Sequence, residues 1–436
     1  MTTCARQPGR RTSWLRSAVV PRRSPTGFAI ITITALLATG LQRTAARIEQ
    51  DDPGWAEFGT GVAAMPETIF VAASAVKDGK RGPGAVHVFE QRSAGWVRTE
   101  VLAVPDARIE DPFGVSLAAD GDTLVVGAQF ADAHGEDSGQ AYVFERRNER
   151  WHPVAVLSAA DATAGDQFGL TVSVSGETIA VGARLADGRA TNAGAAYVFR
   201  RRDGSWQQVS KLMASDGAAG DIFGRVSVDK DEMVVTADLN DDRGTNAGKA
   251  YAFQSRGEAW VEAAQLTASD AAEGDEFGVS LAARDGTAVF GAVGSNARGD
   301  NAGAAYVFER RDVGWVQVAR LTASDAAAGH GLGLSVATSG DIAVAGAPNH
   351  GGGGQRAGAA YVFERRGGAW TQTARLAPSD AASLTSFGST VSISRNTIVV
   401  GMMLNAKGKH PGAAYVFERR AGAWSEVARL VPESRR

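Results

Sequence analysis

The feature that most limits what this chain can fold into is a unit of 54 or 55 residues repeated seven times. Phe-Gly pairs stand at Phe58, Phe113, Phe168, Phe223, Phe277 and Phe387, with Leu332 in the equivalent place of the sixth copy. A second landmark, AYVFER and its variants, carries Phe89, Phe144, Phe199, Phe253, Phe308, Phe363 and Phe417 in the same register. A third is one tryptophan per copy: Trp96, Trp151, Trp206, Trp260, Trp315, Trp370 and Trp424.

Residues 113–157 show what one copy encodes. GVSLAAD and TLVVGAQ are apolar runs split by Asp120-Gly121-Asp122, which reads as a tight hairpin. A polar loop, FADAHGEDSG, leads to the β-rich QAYVFER, a turn, and WHPVAVL. Each copy is therefore four antiparallel strands, A to D, and no sustained helical period occurs between residues 58 and 430. A unit of this size cannot bury both faces of a strand such as TLVVGA without neighbours. The sequence predicts an all-β fold, a seven-bladed β-propeller of four-stranded antiparallel blades, with the tryptophans and the AYVF tyrosines as blade-to-blade core.

Residues 1–46 differ from the rest: they hold seven arginines and no acid, and six of those arginines precede the uncharged run FAIITITALLATGL from Phe28 to Leu41. Fourteen residues are short for a membrane span of about 20. The pattern reads as a signal segment cleaved near Ala45-Ala46, or an uncleaved anchor. Residues 47–57 are a short lead-in and 58–436 the propeller, with copies starting near 58, 113, 168, 223, 277, 332 and 387. Were the signal retained, QRTAARI at 42–48 resembles the strand D ending TQTARL and would pair at the last blade's edge.

Without those seven of its 45 basic residues the chain has 38 against 48 acids, a net charge of −10. That disfavours nucleic acid as a partner. The lone Cys4 leaves with the signal, so no disulfide is expected. A secreted, periplasmic or cell-surface monomer with no remaining transmembrane span is the expectation.

The unit FGVSLAADGDTLVVGAQ, with Gly-Ala after strand B at Gly127-Ala128, Gly182-Ala183, Gly291-Ala292 and Gly346-Ala347-Pro348, resembles the FG-GAP repeat. That resemblance covers 58 to about 430 and implies the integrin α type of propeller, also found in exported bacterial proteins. It does not bring the integrin calcium loops, because the A-to-B connections here are too short to wrap a cation needing six to eight oxygens. A different acidic pattern recurs: Asp51, Asp106, Asp161, Asp216, Asp270, Asp325 and Asp380 lie seven residues before the Phe-Gly mark. Asp111, Asp166, Asp221 and Asp275 lie two before it, replaced by His330, Thr385 and Ala56 in other copies. These are expected to fix the D-to-A connection by accepting backbone N–H groups; weak calcium binding by the paired aspartates is the alternative, and no other cofactor is expected.

The B-to-C and D-to-A connections share one face of the disk. Its B-to-C loops vary most, which points to a protein or glycan ligand and to Asn240, Asp241, Asp242, Asn296 and Asn301 as binding residues needed for function and not for folding. The acidity of this face favours that role. Arg298-Gly299-Asp300 in one of these loops reads as accidental. On the opposite face, arginine pairs such as Arg146-Arg147 and Arg419-Arg420 read as solvated turn residues near glutamates. No catalytic motif is present and the six histidines sit at non-equivalent positions, so a non-enzymatic binding or adhesion protein is favoured over a propeller hydrolase or lyase with a central acidic or metal-dependent site.

Overall fold

The computed structural model describes residues 55–77, 80–104, 113–114, 116–351, 357–380, 386–402 and 412–432. The expectations for the signal segment, for a strand at 42–48 and for Asp51, Asp106, Asp111 and Thr385 lie outside the described residues. Seven antiparallel sheets follow one another at residues 55–102, 116–157, 168–212, 225–266, 277–321, 335–376 and 387–430, and no helix occurs among the described residues. In blade 3, strand A is Phe168–Ser175, B is Thr178–Ala183, C is Ala195–Arg202 and D is Ser205–Leu212, paired in that order. Blade 1 has an additional short strand, Trp55–Ala56, because its strand B, Thr68–Lys77, runs on far enough to pair with it.

Burial follows strand position. The strand B sequence TIAVGA is buried at every residue, as its two apolar faces require, whereas strand D of blade 1, Gly95–Leu102, starts by alternating exposed with partly buried residues. The hydrophobic clusters lie between blades. One joins Val125, Ala141 and Val143 of blade 2 to Phe168, Ile179 and Tyr197 of blade 3. Trp151 packs edge-on to Phe70 of the preceding blade at 5.1 Å. The aromatic landmarks are thus junction core, each such ring contributing about 1.5–3 kcal/mol by burial.

A hydrogen bond gives the Phe-Gly and Gly-Ala landmarks their joint meaning. Thr171, on strand A, donates its hydroxyl to the carbonyl of Gly224 in the next blade's Phe-Gly pair. Ser116 does the same to Gly169, and Ser280 to Gly333. A Cβ on Gly182 would lie 1.6 Å from the Gly224 oxygen, so this strand B position excludes a side chain. Blade 4 reverses the arrangement: its strand A is shorter, and Thr236, in the strand B glycine's place, supplies the hydroxyl to Gly278 at 2.7 Å.

The ring closes by the same contacts. Thr390 of blade 7 donates to Gly59 at 2.9 Å, Phe58 bridges Gly412, and a cluster joins Val399, Val416 and Leu430 to Phe58, Ile69 and Val71. Each blade is made of consecutive strands, with no exchange at the seam.

Candidate binding faces

The recurring aspartates have two different tasks. Those two residues before Phe-Gly accept a backbone N–H three residues upstream, as predicted: Asp166 from Thr163 at 2.8 Å, Asp221 from Ala218 at 2.9 Å, and Asp275 from Ala272 at 2.9 Å. Those seven residues before it do not close a turn. They reach the next blade instead, where Tyr251 donates to Asp216 at 2.8 Å, Tyr361 to Asp325 at 2.6 Å and Tyr415 to Asp380 at 2.7 Å.

A cation completes this second set: Lys211 on Asp161 at 2.7 Å, Arg429 on Asp380 at 3.1 Å, and Arg320 on Asp270. In blade 4 the strand D position is Gln265, and Lys249 from strand C takes over, reaching Asp216 at 2.6 Å and also Asp242. Burial works to raise the Asp216 pKa, but the Lys249 and Tyr251 donors and the lysine charge outweigh it and hold the carboxyl below its ordinary value. Burial first, then the Asp380 carboxylate, pushes Tyr415 up to about 12. These aspartates are occupied by protein donors, and among the described residues no three His, Cys, Asp or Glu side chains come together in a way that could hold a metal.

The predicted binding residues belong to the architecture of the B-to-C loops. Four loops share one frame, in which a side-chain oxygen caps the amide five residues on: Asp132 to Asp137, Asp187 to Asn192, Asp241 to Asn246, and Asn296 to Asn301, at 2.7–3.0 Å. The capped residue has φ of 55°, 53°, 55° and 51°, a left-handed conformation that Asn and Asp tolerate. Asn240 is buried and donates to Asp221 at 3.0 Å, and Asp242 pairs with Lys249. These five residues also have places in the loop architecture: Asn240, Asp241 and Asn296 bond through their side chains, Asn301 is the capped left-handed residue, and Asp242 pairs with a buried lysine.

What the frame displays was missed by the sequence reading. Two residues after the capping oxygen stand His134, Arg189, Arg243 and Arg298, all exposed on blades 2 to 5. The loops are of equal length, so only side chains vary. Their signal was visible as a constant offset from the Asp or Asn of each loop. Arg298-Gly299-Asp300 is one instance of this frame: Gly299 has φ of 131°, matching Gly135 and Gly244 at 129°.

On the opposite face, the arginine pairs are not merely solvated. The strand C glutamate of one blade is held by an arginine of the next: Glu90 by Arg146 at 2.7 Å, Glu145 by Arg201 at 2.9 Å, Glu309 by Arg365 and Glu364 by Arg419 at 3.0 Å. Glu90, Glu145 and Glu364 are buried. At the seam Gln91 donates to Glu418 at 3.1 Å, and in blade 3 the polarity is reversed, with Arg200 donating to Ser255 at 2.8 Å. Blade 4 breaks the series. Gln254 stands in the glutamate's place, and Arg310 turns to Glu232 on strand B at 2.8 Å.

Fold and faces together define a repeat-type propeller. The FG-GAP repeat matches the chain six times, at residues 96–144, 151–199, 206–253, 260–308, 315–363 and 370–417, and the chain belongs to that family. Each match runs from a strand D tryptophan to the strand C phenylalanine of the next blade, so the six matches cover six junctions. The seventh unit is divided between the two ends of the ring, Trp424 on one side and Phe58 to Phe89 on the other. No curated protein matches the sequence. Among solved structures, that of Chaetomium thermophilum Sqt1 is similar at 15% identity, covering 88% of this chain and 89% of that one with a TM-score of 0.49.

Proposed function

We propose that the protein is an exported, non-enzymatic binding module that recognises an acidic glycan or protein through the B-to-C loops of blades 2 to 5. One observation carries this reading: a single loop frame presents a cation at the same position on neighbouring blades, Arg189, Arg243 and Arg298, in a chain that is otherwise acidic. The repeat explains the frame, since capping oxygens and left-handed residues are needed to build the loop. It does not explain the arginines, which are exposed and contribute nothing to a core. A row of guanidinium groups on rigid supports suits spaced carboxylates or sulfates, each offering planar, two-point acceptance. Export is supported by the charged and apolar pattern of residues 1–46 and by the FG-GAP family itself.

The test is binding of the full chain to polygalacturonate, with dextran as the neutral control, at two salt concentrations. Salt-sensitive binding to polygalacturonate that is lost in the triple variant Arg189→Ala, Arg243→Ala, Arg298→Ala supports the proposal. Equal binding by the variant, or no preference over dextran, overturns it.

A further inference from the structure

Blade 4 departs from the repeat at one point on its inner strands, and four charged residues meet there. Strands A of blades 3, 5 and 7 bulge between the Phe-Gly pair and the hydroxyl residue that faces the strand B glycine. Blade 4 lacks the bulged residue, so Arg225 follows Phe-Gly directly and faces Thr236 in that register. The residue after strand B is uncharged at Gln129, Val293 and Pro348 but is Arg184 in blade 3 and Asp238 in blade 4. Glu276, the residue before Phe277, comes in from blade 5.

These four act on one another without satisfying one another. Asp238 is 5% exposed and lies 3.5 Å from Nε of Arg225, too far for a good hydrogen bond. Arg184 is half-buried and senses both the Asp238 and the Arg225 charges. Three buried atoms of the group have no hydrogen-bond partner: Nε of Arg184, Nε of Arg225 and Oδ1 of Asp238. Buried polar atoms left unmet cost stability, so a ligand that meets all three is favoured.

We infer that this cluster binds a phosphate group that carries a proton. The two guanidinium groups donate to phosphate oxygens, and Asp238, which as a carboxylate can only accept, takes the P–OH. Sulfate brings lone pairs to Asp238 and no proton, and is refused. Burial, then the Asp238 charge, raises the Glu276 pKa against the pull of Arg225, which tips the cluster toward a positive excess that suits an anion. One ion needs access more than a wide cavity, and the Arg225 side chain keeps 24% of its surface exposed. A phosphate monoester sheds its last proton near about pH 6, whereas inorganic phosphate still holds one above that, so free phosphate is the better fit. The site uses none of the loop arginines Arg189, Arg243 and Arg298.

The experiment is calorimetric titration of the full chain in a phosphate-free buffer at about pH 7.5, with inorganic phosphate, sulfate and methyl phosphate as probes. Phosphate is expected to bind with a dissociation constant below about 10 mM, and the other two at least about tenfold more weakly. Arg184→Gln, which keeps a polar stem without the charge, weakens phosphate by about tenfold or more. Asp238→Asn, of the same shape, lets sulfate bind as well as phosphate. The triple arginine variant of the loops binds phosphate like the native chain. The inference is overturned if phosphate does not bind at about 10 mM, if the native chain takes sulfate or methyl phosphate equally well, if Arg184→Gln binds phosphate as the native chain does, if Asp238→Asn still refuses sulfate, or if the triple variant loses phosphate. The comparison of the three ions on the native chain decides the matter even where a variant fails to fold.

Discussion

The hydroxyl of Thr171 and the carbonyl of Gly224 meet at 2.7 Å across the junction of blades 3 and 4, and Gly182 is the residue that leaves room for them. Gly182→Ala would drive a methyl group into that carbonyl. The expected cost is about 3 kcal/mol, read as a lower midpoint of urea unfolding with an unchanged slope. A loss below the error of the measurement would show that the junction can yield.

Loop framework and loop display should separate in a stability series. Asn240→Ala removes a buried partner of Asp221 and is expected to cost about 2 kcal/mol, and Asp241→Ala or Asn296→Ala about 1 kcal/mol each, as for a lost cap. Arg189→Ala, Arg243→Ala and Arg298→Ala should stay within about 0.5 kcal/mol. Thermal unfolding of the single variants checks the order.

His87 takes in blade 1 the place that tyrosine holds in the other described blades, fully buried in an edge-on contact with Phe58. Burial, aided by the charge of Arg98, lowers its pKa to about 3. The unfolded chain binds a proton near the ordinary histidine value that the folded chain refuses, so this stability is whole above about pH 6.5 and lost as pH falls toward 3. Between pH 6.5 and 5 the loss should be about 2 kcal/mol. His87→Phe should flatten that slope in denaturant titrations; an equal slope in both proteins would place the titration elsewhere.

Asp216 works in a lower window. With its folded pKa depressed, its contribution is complete above the ordinary carboxylate value of about 3.9 and disappears as pH falls through the folded value. Asp216→Asn should therefore be less stable than the native chain at pH 7 and approach it in acid. Unfolding midpoints at both pH values decide the matter, and a constant difference would contradict the ionic account.

The fold was legible because its determinants lie at a fixed period along the chain: Phe-Gly, AYVF and the tryptophan mark every blade. The four strands of each blade were equally visible in the alternation of apolar runs with Gly-rich and Asp-rich turns. The site was legible only by region. Asn240 and Asp241 are polar and lie in a loop, which is all that a linear reading can use, yet a side chain capping its own loop looks the same in sequence as one awaiting a ligand. The pairing of Glu90 with Arg146, or Asp216 with Tyr251, joins residues 56 and 35 positions apart across blades. Only a search for complementary residues at those offsets would have found them.

The seam between blade 7 and blade 1 uses the same hydroxyl-to-carbonyl bond and the same kind of apolar cluster as the junctions crossed by the chain. The molecule consequently has no privileged point of origin. Cutting any D-to-A connection and tethering the native termini would yield a circular permutant with the same seven interfaces, in which the break has merely moved around the rim.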